Sequence, residues 1–263
     1  MTDTAVAFND ADAYERFMGR WSRAVGTQFI EWFAPPTNAR WLDLGCGTGV
    51  FTELILKICA PAAVTAIDPA PEQVAHARKQ PAARHADFQV GDAQSLPFED
   101  ASFDVIASAL VINFIPDRRK AVQEMRRVAR PGGMIGAYVW DYLEERTAGS
   151  SLRLGLRDIG VEPPSMPGAV DASIPALTAL FRQAGLEALS CHSIDVTLTF
   201  PDFDDFWTSQ MPSFTPQTRL IRALPKTQQN DLKEAVKRRL SIGPGGSVSH
   251  TARANAIKAR VPA

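Results

Sequence analysis

Apolar and polar positions along this chain change period several times, and the changes mark out its elements. Tyr14, Phe17, Met18 and Trp21 fall at i, i+3, i+4 and i+7, the stripe of one helix face. Val25, Phe29, Ile30, Trp32 and Phe33 predict a second helix, stopped by Pro35-Pro36. Residues 40–44 read as a short strand running into Gly45-Cys46-Gly47-Thr48-Gly49. Apolar residues at 51, 54, 55 and 58 then predict a helix over 51–59. The next strand, 63–67, breaks at Asp68-Pro69, and Pro71 opens a helix to Arg78. A brief strand, 88–90, closes at Gly91-Asp92. Residues 103–114 are almost all apolar, as in a central parallel strand covered on both faces. Asp117 suits the cap of a helix over 118–130 with Ala121, Val122, Met125 and Val128 as its buried stripe. Pro131-Gly132-Gly133 separates that helix from a fifth strand, 134–140.

This alternation predicts an α/β fold with a doubly wound parallel sheet. Beyond Asp141 the pattern loosens. Residues 144–170 mix charges with Gly and a proline cluster at 163–167 and read as an insertion. Residues 174–184 look helical, 186–200 strand-like and 202–240 helical again, and a Gly-Pro-Gly-Gly turn at 243–246 precedes a last strand over 247–261.

The chain has 263 residues, 45% of them hydrophobic and 22% charged, enough to bury one large α/β core. Its formal net charge of -1 disfavours a nucleic-acid partner, which calls for a basic face. The longest apolar run, 105–116, is too short for a membrane span, which needs roughly 20 residues. The opening Met1-Thr2-Asp3-Thr4 lacks the basic and apolar parts of a secretory signal. Three cysteines, Cys46, Cys59 and Cys191, form no paired motif, so a reducing, cytoplasmic setting is expected. Arg126, Arg127 and Arg130 read as cations at the negative end of a helix dipole rather than as a phosphate patch.

The chemistry concentrates in Asp43-Leu44-Gly45-Cys46-Gly47-Thr48-Gly49, a glycine-rich turn between strand and helix. Glycines there allow a tight turn and close approach to a ligand, and the helix start offers free N–H donors. A dinucleotide fingerprint from Gly45 requires glycine at position 50, which holds Val50. A phosphate-binding loop requires a Gly-Lys pair, and the first lysine after the turn is Lys57. Asp68, at the end of the second strand, can accept both hydroxyls of a ribose. Asp92, at the end of the third, can accept from an adenine amine. Three such strand ends converge on one crevice of an open α/β sheet.

Together with Leu96-Pro97-Phe98, Phe103-Asp104-Val105 and Arg130-Pro131-Gly132-Gly133, these motifs occur in order over residues 40–140. In that combination the chain resembles the class I S-adenosylmethionine-dependent methyltransferases, in particular the small-molecule group that includes ubiquinone and menaquinone biosynthesis enzymes. The resemblance implies a Rossmann-like fold, a mostly parallel seven-stranded sheet with an antiparallel last strand. It implies S-adenosylmethionine as cofactor, S-adenosylhomocysteine as product and a small-molecule methyl acceptor. Gly45, Cys46 and Gly47 would run under the methionine part, with Asp43 orienting the loop and Thr48 and Ser108 also contacting the cofactor. Asp68 would hold the ribose, Pro69 would lie against the adenine, and Asp92 with Ala93 would read its edge. Tyr14 and Arg20, in the segment 14–21, resemble a cap that contacts the methionine carboxylate.

The expected organisation is an N-terminal helical cap (1–38), a cofactor-binding core (39–141 and 174–263) and inserted cap or lid segments (142–173 and 202–245). The inserts, with Phe17, Trp21, Phe206 and Trp207, are expected to roof an apolar acceptor pocket, since long inserts are commonly lids. Methyl transfer needs mainly positioning and water exclusion, and the sequence names no catalytic residue. His76 and His85 are expected in solvent, His192 and His250 in structural roles, and no motif suggests a metal. A nicotinamide-dependent oxidoreductase and a non-catalytic cofactor-binding module remain the alternatives, and both monomer and homodimer are open.

Overall fold

The computed structural model describes residues 15–213 and 215–263, with side chains from Phe17 onward, so Tyr14 and Phe214 lie outside the described residues. The two N-terminal helices expected from the stripe spacing are one run. A wide turn, Glu15–Gly19, leads directly into α1, Arg20–Phe33. One apolar face, Trp21, Val25, Phe29, Ile30 and Phe33, is buried along its whole length, so nothing forces a break.

The sheet is built from β1 (Arg40–Leu44), β2 (Ala63–Asp68), β3 (Asp87–Val90), β4 (Phe103–Ala109), β5 (Ala129–Trp140), β6 (Glu187–Phe200), β7 (Ser241–Ile242) and β8 (Val248–Arg260). The order is β3-β2-β1-β4-β5-β8-β6, with the two-residue β7 pairing β8. Strands β1 to β5 pair in parallel; β8 runs antiparallel to both β5 and β6. The doubly wound, mostly parallel sheet with an antiparallel last strand is therefore the architecture, with the short β7 as an eighth strand.

Helices α2 (Val50–Ile58), α3 (Pro71–Ala77) and α4 (Arg118–Val128) connect the parallel strands. Strand side chains alternate between two cores, as the pleat requires. Trp41, Val105, Ala107 and Tyr138 pack with Phe29, Phe33, Leu54 and Ile55. Leu42, Ile106, Ile135 and Val139 pack on the other face with Val122 and Met125 of α4 and with Leu177 and Phe181 of α6 (Ile174–Gln183). The insertion after β5 carries α5 (Ser150–Asp158), and the later one carries α7 (Phe203–Ser209), α8 (Pro216–Ala223) and α9 (Lys226–Lys237). α5 and α9 touch closely: a Cβ on Gly155 would stand 2.9 Å from Val236.

Two boundaries differ from the sequence reading. The apolar run 103–114 is strand only to Ala109, because Leu110 takes φ 62 and the chain turns tightly through Ile112–Phe114. β5 starts at Ala129 rather than 134, since Ala129 pairs with Phe103 before a register shift resumes the ladder at Val105 and Met134. The basic end of α4 is anchored. Arg127 donates to the carbonyls of Leu96 and Phe98 and pairs with Glu124 and Asp100, Arg126 donates to the Ala184 carbonyl, and Arg130 pairs with Asp104.

Candidate functional site

The glycine turn sits where β1 hands over to α2, at the C-terminal edge of the parallel strands. Gly45, Gly47 and Gly49 take φ of 80°, 51° and 90°, a left-handed region that costs other residues roughly 1–2 kcal/mol. Their surroundings differ. A Cβ on Gly45 would lie 2.5 Å from Val111, and one on Gly49 3.3 Å from Phe88, so these two are glycine because protein closes over them. A Cβ on Gly47 would meet no protein atom within 4 Å, so its bare backbone faces open space.

The turn is bound to β2. Gly45 and Cys46 both donate to the Ile67 carbonyl, and Gly47 N–H donates to Asp68 Oδ2 at 2.9 Å while Ala70 N–H donates to Oδ1 at 2.9 Å. Burial raises the Asp68 carboxyl above its ordinary range, and these two donors partly offset it. Asp43, paired across the sheet with Ala66 and Ala107, is wholly buried. Its Oδ2 accepts from Thr52 Oγ1 at 2.6 Å, fastening α2 to the end of β1, while Oδ1 has no partner. Desolvation pushes this carboxyl up to about 7, the Thr52 bond opposing and the nearby Asp68 adding.

Thr48 Oγ1 and Ser108 Oγ are likewise buried without a hydrogen-bond partner. Three orphaned polar atoms around a turn whose central glycine faces open space match a polar ligand that is held closely and supplies the missing partners. Cys46 is buried beside Asp43 and Asp68, and burial first, then those carboxyls, push its thiol well up, so it stays a protonated wall residue. At the third strand end Asp92 is exposed, accepting from Gln94 N–H at 2.9 Å, with Ala93 half-buried and Pro69 exposed nearby in sequence. A polar cavity of about 250 Å³ adjoins the helix side of the turn, lined among others by Thr48, Gly49, Arg23 and His76.

Arg20 does not join this group. Its guanidinium lies 4.6 Å over the Phe200 ring, donates to the Thr199 carbonyl at 2.8 Å and stands 3.7 Å from Asp205. Those contacts tie the start of α1 to β6 and α7, because the helix stripe turns Trp21 inward and leaves position 20 on the outer face. Tyr14 lies outside the described residues. His85 and His192 are exposed, His192 stacking on Trp32, and half-buried His76 lies 2.8 Å from Gln80. His250 is buried between the rings of Trp21 and Phe206, its Nε2 3.1 Å from the Thr147 carbonyl. Desolvation lowers its pKa, which keeps it neutral.

A second cavity, about 130 Å³, opens beyond the ends of β4 and β5. Phe17 and Met18 form one side and Leu110, Phe114 and Trp140 the floor. Tyr142, Thr147 to Gly149, Arg153 and Pro164 to Met166 come from the first insertion, Gln210 and Thr215 to Gln217 from the second. Of the four aromatic residues expected to roof such a space, Phe17 lines it. Trp21 and Phe206 are instead core residues, and Trp207 packs on Phe203. Sequence spacing missed Leu110 and Phe114 as cavity residues because they sit in a run that looked like uninterrupted strand. The left-handed Leu110 carries the chain over the glycine turn, where Val111 covers Gly45 while its neighbours floor the cavity.

Residues 42–136 match a family model described as a methyltransferase domain. A malonyl-[acyl-carrier protein] O-methyltransferase of Erwinia pyrifoliae is 32% identical over 198 residues, 75% of this chain and 70% of that protein. A second such enzyme, from Serratia marcescens, is 34% identical over 131 residues, 48% of this chain and 50% of that protein. Among solved structures, the YcgJ protein of Bacillus subtilis superposes with a TM-score of 0.59 at 20% identity, covering 93% of this chain and 99% of that one. Phosphoethanolamine N-methyltransferase 2 of Haemonchus contortus, solved with S-adenosyl-L-methionine, gives 0.59 at 16% identity, covering 96% and 57%. The chain belongs to the class I S-adenosylmethionine-dependent methyltransferases. Its reaction is S-adenosylmethionine-dependent methylation, which sets aside the nicotinamide and non-catalytic readings.

Proposed function

We propose that the protein methylates a small organic acceptor held in the cavity beyond β4 and β5, with the cofactor in the glycine-turn crevice. The observation that carries this is the segment 110–114, which covers Gly45 on one side and floors the cavity on the other. In this reading residues 1–38, 142–173 and 202–245 form the cap, and 39–141 with 174–263 the cofactor-binding core.

When bound, S-adenosylmethionine supplies a methyl group on a sulfonium that departs as a neutral thioether. Gly45, Cys46 and Gly47 line the methionine part, and the hydroxyls of Thr48 and Ser108 meet its polar atoms. Asp43 holds the turn through Thr52. Asp68 keeps Gly47 in place and still has lone pairs for ribose hydroxyls. Pro69, Asp92 and Ala93 border the adenine. Arg20 is engaged by Phe200, Thr199 and Asp205, and Tyr14, outside the described residues, keeps its expected place at the methionine carboxylate. Among the described residues lining the cavity there is no imidazole or carboxylate, which favours catalysis by alignment and dehydration over general-base chemistry. Free thiols at Cys46, Cys59 and Cys191 favour a cytoplasmic setting.

A second reading follows from Arg153 in the cavity wall: a carboxylate acceptor, in keeping with the O-methyltransferase name of the Erwinia relative. The experiment is release of S-adenosylhomocysteine from panels of phenols, quinones, amines and carboxylates. Turnover that Ala148→Trp removes, with cofactor affinity intact, supports the cavity; turnover that survives the plug refutes it.

A further inference from the structure

We infer that Gln210 selects the acceptor, its side-chain oxygen taking a hydrogen bond from an N–H or O–H group on a flat, ring-bearing molecule. This rests on the cavity being the acceptor site. Gln210 ends α7, is 3% exposed, and its Oε1 has no hydrogen-bond partner. The amide orientation is fixed locally. Ser209 Oγ gives its proton to the Phe206 carbonyl at 2.7 Å, so it faces Gln210 as an acceptor, and Gln210 Nε2 donates to it at 3.4 Å. Oε1 is thereby turned the other way. It lies 3.9 Å from where a Cβ on Gly149 would stand, and both residues line the cavity. A buried amide oxygen without a donor is a standing cost that a ligand carrying the donor removes.

Three other polar residues of the wall, Thr147, Thr215 and Arg153, already have partners. Thr147 Oγ1 accepts from Gly149 N–H, and Thr215 Oγ1 accepts from Thr218 N–H and donates to Thr218 Oγ1. Arg153 donates to Glu145 at 3.2 Å and to the Pro164 carbonyl at 2.6 Å. A carboxylate in this space would meet the Gln210 lone pairs and a guanidinium whose charge Glu145 already offsets. A neutral donor finds its acceptor at once. Phe17, Phe114, Trp140 and Met166 supply the apolar surface for a ring.

The test uses indole and 1-methylindole, near-equal in shape and differing in one N–H, titrated calorimetrically into the full chain saturated with S-adenosylhomocysteine. Wild type is expected to bind indole about tenfold more tightly. Gln210→Leu and Gln210→Met should bind both probes within twofold of each other, with 1-methylindole held as in wild type, and Ala148→Trp should bind neither. Equal affinities in wild type, or a preference that persists in both variants, would overturn the assignment even where one variant fails to fold. If neither probe binds, or Ala148→Trp leaves binding intact, the cavity reading falls and the assignment falls with it, while retained S-adenosylhomocysteine binding leaves the methyltransferase standing.

Discussion

Asp43→Asn gives the sharpest test of the electrostatics under the glycine turn. In the folded protein the Asp43 carboxyl is raised from an ordinary 3.8 to about 7, chiefly by burial. Between those two pH values the native state holds a proton that the unfolded chain has released. Unfolding free energy therefore falls as pH rises through this window, and the penalty is complete above pH 7. About three decades of proton affinity, at about 1.4 kcal/mol each, amount to on the order of 4 kcal/mol as an upper bound. The amide cannot ionise, and its oxygen still accepts from Thr52. Its NH2 group replaces the orphaned Oδ1 and costs about 1–3 kcal/mol unless it finds a partner, equally at every pH. The pH dependence thus isolates the charge. Urea denaturation of both proteins at pH 5 and pH 8.5, without cofactor, should show the variant gaining about 1–3 kcal/mol relative to wild type, because the two decades from pH 5 to about 7 fall within that comparison. A stability difference that is the same at both pH values would refute the claim that Asp43 is forced to ionise in an apolar site.

Gly47→Val should abolish S-adenosylhomocysteine binding in calorimetry at a stability cost of about 1–2 kcal/mol, since the side chain enters open space but the backbone is left-handed. Gly45→Ala should instead cost about 2–4 kcal/mol in urea denaturation, because its Cβ drives into Val111; similar stabilities for the two variants would contradict the assignment of which side of the turn is open. Asp68→Ala should weaken S-adenosylhomocysteine by about 1.5–3 kcal/mol, the range for hydrogen bonds to a charged group, and unchanged affinity would remove Asp68 from the ribose. Arg127→Met should lower stability by about 1–3 kcal/mol in thermal and urea unfolding while leaving cofactor affinity alone, and a loss of affinity instead would show that this arginine serves the crevice.

The first three strands of the parallel half were readable because each is followed by, or ends on, residues that favour a turn. Gly45, Asp68-Pro69 and Gly91-Asp92 are local signals, and the structure breaks the strands there. The acceptor side was not readable in the same way. Leu110 leaves the sheet through a left-handed turn that costs energy locally and is held by its N–H bond to the Tyr138 carbonyl. Nothing in an apolar run announces such a bend. Trp21 and Phe206 were misplaced for a related reason. Aromatic composition says that a segment is buried, whereas only the packing of α1 against β6 and β8 decides whether a ring fills the core or edges a cavity. Arg20 shows the same limit: its neighbours in sequence match a cofactor cap, but the outer helix face on which it falls delivers it to Phe200.

The position of β8 between β5 and β6 bears on how the polypeptide is made. Among the described residues β6 joins the sheet through β8, and the helices of residues 203–237 separate the two in sequence. While the ribosome is still translating those helices, Ile194, Val196 and Phe200 can reach α1 but have no strand to pair beside. An emerging chain thus carries an unsatisfied, apolar-faced strand through some fifty codons, a window open to chaperone capture, proteolysis or self-association. Nascent chains arrested near residue 245 should be digested rapidly from β6 onward, and those that have released β8 from the exit tunnel should resist. Slow translation over that interval would lengthen the exposure, and the yield of folded protein is expected to fall with it.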